Sequence, residues 1–244
     1  MLKMGAETAM NKAILFDLYG TLIDIKTDEH DPWVYEMLSR YLGYHSVAIG
    51  PDELKTAYFE GIQQHLEQSK EVHPEVDVYK IYFNIMNKYG KKRSSKGIVM
   101  DIGILFRSLT IRQFRVFDGL YDVLPGLSAQ CKTAIISDAQ WIFAEPEISM
   151  LGLDQFFDVR VLSSRYGFKK PDPRLFRVAM DSLNVSPQNC IYVGDNPCKD
   201  LSGAKRVGMK FILFGSECRD YNGFEPDRCF HDYTEFNSIL SGML

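Results

Sequence analysis

Apolar and polar positions follow two different periods along this chain. After position 116, short apolar runs alternate with stretches of helical period. Asp118 to Cys131 reads as a helix, Lys132 to Ile136 as a strand, and Ala139 to Leu151 as a helix broken near Pro146. Val159 to Leu162 reads as a short strand. Asp172 and Pro173 open a helix that reaches Leu183, with proline at an early position where a backbone N–H is not needed. Ile191 to Val193, Cys198 to Val207 and Lys210 to Phe214 form a strand–helix–strand unit, and Ala13-Ile14-Leu15 is an earlier apolar run. Alternation of this kind predicts a parallel sheet with helices on both faces.

Residues 24 to 115 have a different rhythm. Leu54, Ala57, Tyr58, Gly61, Ile62 and Leu66 share one helical face, as do Val78, Ile81, Tyr82, Ile85, Met86 and Tyr89. Ile98, Ile102, Leu105 and Leu109 make a third stripe. The stretch is expected to be helical, interrupting the sheet after its first strand. Its linkers are expected near Ile23 to Lys26 and Arg115 to Asp118.

Polar groups stand where the apolar runs end. Phe16-Asp17-Leu18-Tyr19-Gly20-Thr21-Leu22 follows the first run, and Ser137 follows Thr133-Ala134-Ile135-Ile136. Gly167-Phe168-Lys169-Lys170-Pro171-Asp172-Pro173 precedes a helix. Gly194-Asp195 follows Cys190-Ile191-Tyr192-Val193, with Asp200 five residues on. In a parallel sheet, ligands bind beyond the carboxyl ends of the strands, so these groups are expected to converge on one crevice. Three carboxylates there would repel, and one lysine balances only one of them; a cation is the simplest neutraliser.

In order and spacing, these four segments resemble the motifs of the haloacid dehalogenase-like hydrolase superfamily. The resemblance runs from position 12 to about 213. It implies a Rossmann-like, doubly wound α/β core of residues 1–23 and 116–244, with an all-helical cap inserted at 24–115 to cover the site and select the substrate. It makes Asp17 the nucleophile, Ser137 a hydrogen-bond donor to a substrate oxygen, and Lys170, ahead of Pro171, the neutralising cation, with Lys169 its neighbour. Asp138 would lie with Ser137 and Lys170 against the substrate. Asp17, Asp195, Asp200 and the carbonyl of Tyr19 would hold Mg²⁺. Simpler roles exist beside these. Asp17 could open a turn with Gly20, Ser137 could cap a helix, Asp200 could favour a helix start, and Lys170 could be a solvated surface charge.

Two positions depart from the pattern. Most phosphatases of the family carry an aspartate two residues after the nucleophile; here that position is Tyr19. A phenol with pKa near ~10 is a poor base at neutral pH. Dehalogenases of the family also carry tyrosine here, since halide leaves without a proton, but their fourth motif is less acidic. They use a cap arginine, and the first stretch of the insert here offers Arg40. Asp138 stands where asparagine often follows the serine. The pattern therefore favours Mg²⁺-dependent hydrolysis of a small phosphorylated metabolite. The alternatives are a 2-haloacid dehalogenase, or a phosphate-ligand binding protein with little turnover. The structural role open to Tyr19 is packing beneath the cap.

Composition narrows the remaining choices. The chain has 244 residues, 45% hydrophobic and 25% charged, as in an ordinary globular protein. A net charge of −4 argues against nucleic acid as a partner. Five cysteines without CxxC spacing suggest free thiols in a reducing compartment, and five scattered histidines suggest no histidine site. The first ten residues lack the apolar core of a signal peptide, no run is long enough to span a membrane, and Met10 could be an alternative start. A cytoplasmic monomer or homodimer is expected.

Overall fold

The computed structural model describes residues 12–92 and 95–243; Met10 lies outside them. Six parallel strands form the central sheet: β1 (Ala13–Phe16), β4 (Lys132–Ser137), β5 (Val159–Leu162), β6 (Cys190–Gly194), β7 (Lys210–Phe214) and β8 (Arg228–Phe230). Their order is β5-β4-β1-β6-β7-β8, so β1 is central and the chain moves outward from it first one way, then the other. That reversal opens the crevice at the carboxyl end of β1. The register pairs Phe16 with Ile135 on β4 and with Val193 on β6.

Alternate side chains of each strand enter two separate cores. Ile14, Phe16, Ile135, Ile191, Val193, Ile212 and Phe214 face one side, beneath α5 (Leu120–Gln130) and α9 (Tyr233–Ser241). Ala13, Leu15, Ala134, Ile136, Tyr192, Phe211 and Leu213 face the other, against α7 (Pro173–Leu183) and α8 (Ser202–Arg206). Burial on both faces is why these strands read as apolar runs rather than as alternating ones. The doubly wound architecture agrees with the expectation. Pro146 does not break its helix; α6 runs from Trp141 to Met150 through it.

Between β2 (Ile23–Thr27) and β3 (Ile111–Val116), at the ends of the insert, the described residues form four helices: α1 (Pro32–Tyr44), α2 (Pro51–Gln68), α3 (Val78–Tyr89) and α4 (Lys96–Thr110). The three expected stripes fall on α2, α3 and α4. The first helix is additional; Asp31 caps it by accepting from the Trp33 amide, and proline occupies its first turn. These helices share one apolar core, which Ile142 and Phe143 of α6 enter from the sheet side. The insert is not all-helical. The first expected linker lies within β2, and the second begins at the end of β3; the two strands pair antiparallel in a two-stranded ribbon separate from the sheet. Only Ile23 is buried in this ribbon; its other positions are half-buried or exposed.

One cysteine expectation is overturned. Cys218 and Cys229 form a disulfide, with Cα atoms 5.6 Å apart. Strand β8 brings Cys229 beside the loop after β7, and a separation of 11 residues carries no motif. Cys131, Cys190 and Cys198 are free thiols. The disulfide removes part of the argument for a reducing compartment. Among the described residues, no helix is long and apolar enough to cross a membrane.

Candidate active site

Asp17 is the first residue beyond β1. Its amide donates to the Val193 carbonyl at 2.9 Å, which ties it to β6, and its Oδ1 accepts from the Leu18 amide at 2.7 Å. The chain then turns sharply, with Leu22 and Ile23 amides both donating to the Leu18 carbonyl. Gly20 makes this possible in two ways. Its φ of +85° suits glycine, and a Cβ there would sit 2.6 Å from Asp195 Oδ2. Thr21 Oγ1 donates to Asp195 Oδ1 at 3.0 Å, while the Thr21 carbonyl is held by the buried Tyr233 hydroxyl at 2.9 Å.

On the β6 side, Gly194 lets Asp200 approach; a Cβ would meet Asp200 Oδ2 at 2.6 Å. Residues Pro197–Leu201 form a wide π-type turn capped by the Asn196 side chain, which accepts from the Cys198 and Lys199 amides. The expected helix from Cys198 therefore begins as this turn and becomes α-helical at Ser202. Such local widening is frequent at functional sites. Here it aims Asp200 inward, where Oδ2 accepts from the Asn196 amide at 3.0 Å.

Lys170 is buried and joins these groups. Its Nζ lies 2.9 Å from Asp17 Oδ1 and 2.6 Å from Asp200 Oδ1, and donates to the Tyr192 hydroxyl and the Ile136 carbonyl. Burial opposes its charge, but Asp17 and Asp200 outweigh that and hold the ammonium above the usual lysine range. Lys169 is only half-buried, with its amide on the His73 carbonyl. Burial pushes the Asp200 carboxyl up to about 7 against the pull of Lys170. Asp195 is raised too, by burial and then by Asp17. Burial is the larger cause of both shifts, and the site also holds more carboxylates (Asp17, Asp138, Asp195, Asp200) than ammonium groups (Lys170, Lys199).

Six of the seven expected site residues line one polar cavity of about 210 Å³: Asp17, Tyr19, Ser137, Asp138, Lys170 and Asp195. Asn196 and Lys199 complete its wall, and Asp200 stands directly behind Lys170. Oxygens of Asp17, Asp195 and Asp200 lie within 4.8 Å of one another. An all-oxygen donor set with a net negative charge suits a hard divalent cation such as Mg²⁺.

Two simpler roles fail on geometry: Lys170 is buried rather than a solvated surface charge, and Ser137 is no helix cap. Ser137 ends β4 and is buried, but α6 starts at Trp141 with Gln140 in the capping position, so Ser137 caps nothing. Asp138 is no cap either. Its Oδ1 accepts from the Lys170 amide at 2.8 Å, and its Oδ2 lies 3.2 Å from Lys199 Nζ. Arg40 is exposed on α1 and pairs with Glu36, away from the cavity.

Tyr19 has partners that sequence reasoning missed. Tyr19 forms part of the cavity wall, while its hydroxyl is enclosed and donates to Glu147 of α6. Arg107 of α4 donates through Nε to the other Glu147 oxygen at 2.5 Å and stacks over the Tyr19 ring at 5.4 Å. Burial, then Glu147, raises the Tyr19 phenol well above its ordinary value, so it stays protonated. The sequence did hold a signal. Glu147 follows Phe143 and Ala144 by four and three positions, on the buried face of its helix, and a buried carboxylate needs a partner.

The family model of haloacid dehalogenase-like hydrolases matches residues 11–208, and the chain belongs to that family of enzymes. It is similar to a glyceraldehyde 3-phosphate phosphatase of Pyrococcus furiosus, 29% identical over 83% of this chain and 80% of the relative. Its fold matches a phosphatase of the family from Thermococcus onnurineus, with a TM-score of 0.57 at 24% identity, covering 95% of this chain and 98% of the other. It also matches a 2-haloacid dehalogenase from Pseudomonas syringae, with a TM-score of 0.65 at 20% identity, covering 96% of this chain and all of the other (100%).

Proposed function

We propose that the chain hydrolyses the phosphoester of a small metabolite through Asp17. The observation that carries this reading is the acidic pair Asp195 and Asp200, gathered with Asp17 around buried Lys170 in one small polar cavity. A displacement of halide from carbon has no use for that many carboxylates. The phosphatase names of relatives such as the Pyrococcus furiosus protein support the same choice.

Asp17 Oδ1 is engaged by the Leu18 amide and Lys170, which leaves Oδ2 as the oxygen free of both to attack phosphorus. The new bond is Oδ2–P; the bond broken is that from phosphorus to the alcohol oxygen. Water then attacks the aspartyl phosphate, the Oδ2–P bond breaks to restore Asp17 and release inorganic phosphate, and the proton lost by the water is balanced through solvent by the one the alkoxide takes up. Ser137 donates to a phosphoryl oxygen, and Lys170 offsets the charge that develops. Asp17, Asp195, Asp200 and the Tyr19 carbonyl would hold Mg²⁺, which supplies Lewis-acid polarisation of the phosphoryl group. Residues 24–115 act as the cap that closes over this crevice. Tyr19, protonated and committed to Glu147, serves as wall rather than base, so leaving groups that depart without strong acid assistance should react fastest.

The test is turnover of an aryl phosphate with and without Mg²⁺, in the wild type and in Asp17→Asn. Turnover should need the metal and vanish in the variant. Metal-independent turnover, or an active Asp17→Asn, would overturn the proposal. Tyr19 favours one second reading, a 2-haloacid dehalogenase; halide release by metal-free protein, with no phosphatase activity, would establish it.

A further inference from the structure

Asp138 poses a problem for any anionic substrate. It lines the same cavity as Asp17, and its side chain is only 13% exposed. It neither turns away nor caps a helix. The Lys170 amide fixes its Oδ1, and that amide belongs to the segment carrying the site's buried cation. Asp138 therefore cannot swing out without disturbing Lys170. Among the described residues its Oδ2 is buried with no hydrogen-bond partner, and Lys199 Nζ lies 3.2 Å from it.

Topology gives this contact its meaning. Asp138 follows β4 and Lys199 lies in the turn after β6, and these two strands flank β1. A bridge from one to the other crosses in front of the end of β1, where Asp17 stands. The π-type turn, capped by Asn196 through the Lys199 amide itself, sets the Lys199 backbone in place for it. The Lys199 side chain is 43% exposed, so its ammonium stands at the mouth of the cavity, with N–H donors beyond the one aimed at Asp138.

We infer that Lys199 is a positioning and selectivity residue: its ammonium cancels the charge of Asp138 across the mouth of the cavity, and this cancellation makes the cavity accept an anion. The inference rests on the phosphatase reading of the site. It assigns Lys199 no part in bond making or breaking, so the rate of the bound complex should depend on it weakly.

The experiment is a double-mutant cycle of Lys199→Met and Asp138→Asn, read by aryl-phosphate kinetics with Mg²⁺ and by competitive inhibition with inorganic phosphate. Lys199→Met should raise KM and weaken phosphate inhibition by about tenfold, the order expected for one uncompensated charge a few ångström away in a water-rimmed cavity. Its kcat should change far less. The double variant should recover most of the lost affinity, because both charges are then gone. Asp138→Asn alone should tighten phosphate binding. A loss that persists in the double variant would show that Lys199 touches the substrate itself, and an unchanged KM in Lys199→Met would show that the pair is inert; either overturns the inference. Thermal midpoints of all variants separate these outcomes from misfolding. A wild type without aryl-phosphatase activity would instead sink the underlying reading, and inorganic phosphate affinities measured directly by titration calorimetry would still decide the cycle.

Discussion

At the scale of single residues, Tyr19 carries the question that the sequence raised. The departure from the phosphatase pattern was legible at once, because one aromatic residue replaced an expected carboxylate. Its explanation was not, since Glu147 and Arg107 lie 128 and 88 positions further along the chain. The Tyr19 hydroxyl serves Glu147, and Arg107 completes the pair, so the phenol satisfies a buried carboxylate. Tyr19→Phe should then lower stability by about 1–3 kcal/mol, the cost of leaving one buried carboxylate oxygen short of a donor. Its kcat on an aryl phosphate should stay within a few-fold of wild type. Chemical denaturation and steady-state kinetics check the two halves. A kcat loss of about 10²-fold or more, the scale of a missing general acid or base, would make Tyr19 a participant in proton transfer. Asp17, Ser137, Lys170, Asp195 and Asp200 were legible for a different reason. Each follows an apolar run or opens a helix, and a parallel sheet gathers such positions by topology. Lys199 carried no such mark, because a surface turn gives a lone lysine no pattern.

At the scale of elements, the sheet strands were readable because burial on both faces makes them continuous apolar runs. The ribbon of β2 and β3 was not. Its partners are 84 or more residues apart, each strand is half polar, and helical stripes fill the sequence between them. Packing of α4 on α6 was equally hidden, although one glycine records it. A Cβ on Gly103 would lie 2.2 Å from Ile142 Cδ1 and 2.7 Å from its Cγ1, and Ile142 is fully buried. Gly103→Ala gains up to about 1 kcal/mol of helix propensity. It also overpacks a closed contact, which costs about 1–3 kcal/mol when the neighbour cannot yield. The expected result is net destabilisation. Gly97→Ala on the same helix is the control. Its Cβ would have nothing nearer than Ser95 Oγ at 4.0 Å, so it should be neutral or mildly stabilising. Thermal midpoints of the two variants decide the matter; equal effects would mean that the α4–α6 contact is loose.

At the scale of the whole molecule, the helical insert is fastened to the sheet near the site through the connection between α2 and α3. The Glu75 amide donates to the Gly167 carbonyl at 3.0 Å, and the Lys169 amide to the His73 carbonyl at 2.9 Å, one residue from Lys170. Glu75 itself is the centre of this fastening. Ser163 Oγ donates to its Oε2 at 2.7 Å, and the Val76 amide and Gln140 Nε2 donate to its Oε1. Burial raises the Glu75 carboxyl above the usual range, more than these donors lower it. The folded protein therefore binds this proton more readily than the unfolded chain does. The favourable contribution of Glu75 is full below the ordinary carboxylate value and is lost as pH rises through the raised folded value. Glu75→Gln removes that loss. Glutamine keeps the two bonds to its oxygen, and its amide can donate to Ser163 Oγ in place of the bond it received. The variant should gain stability over wild type as pH climbs from about 4 towards 7, with the difference levelling off above the raised value. Urea unfolding across that range is the measurement, and a difference that shrinks or stays flat would refute the buried, proton-favouring role of Glu75. Because the same contacts hold the connection beside Lys170, slower hydrogen exchange at Val76 and Lys169 in Glu75→Gln at neutral pH should accompany the gain.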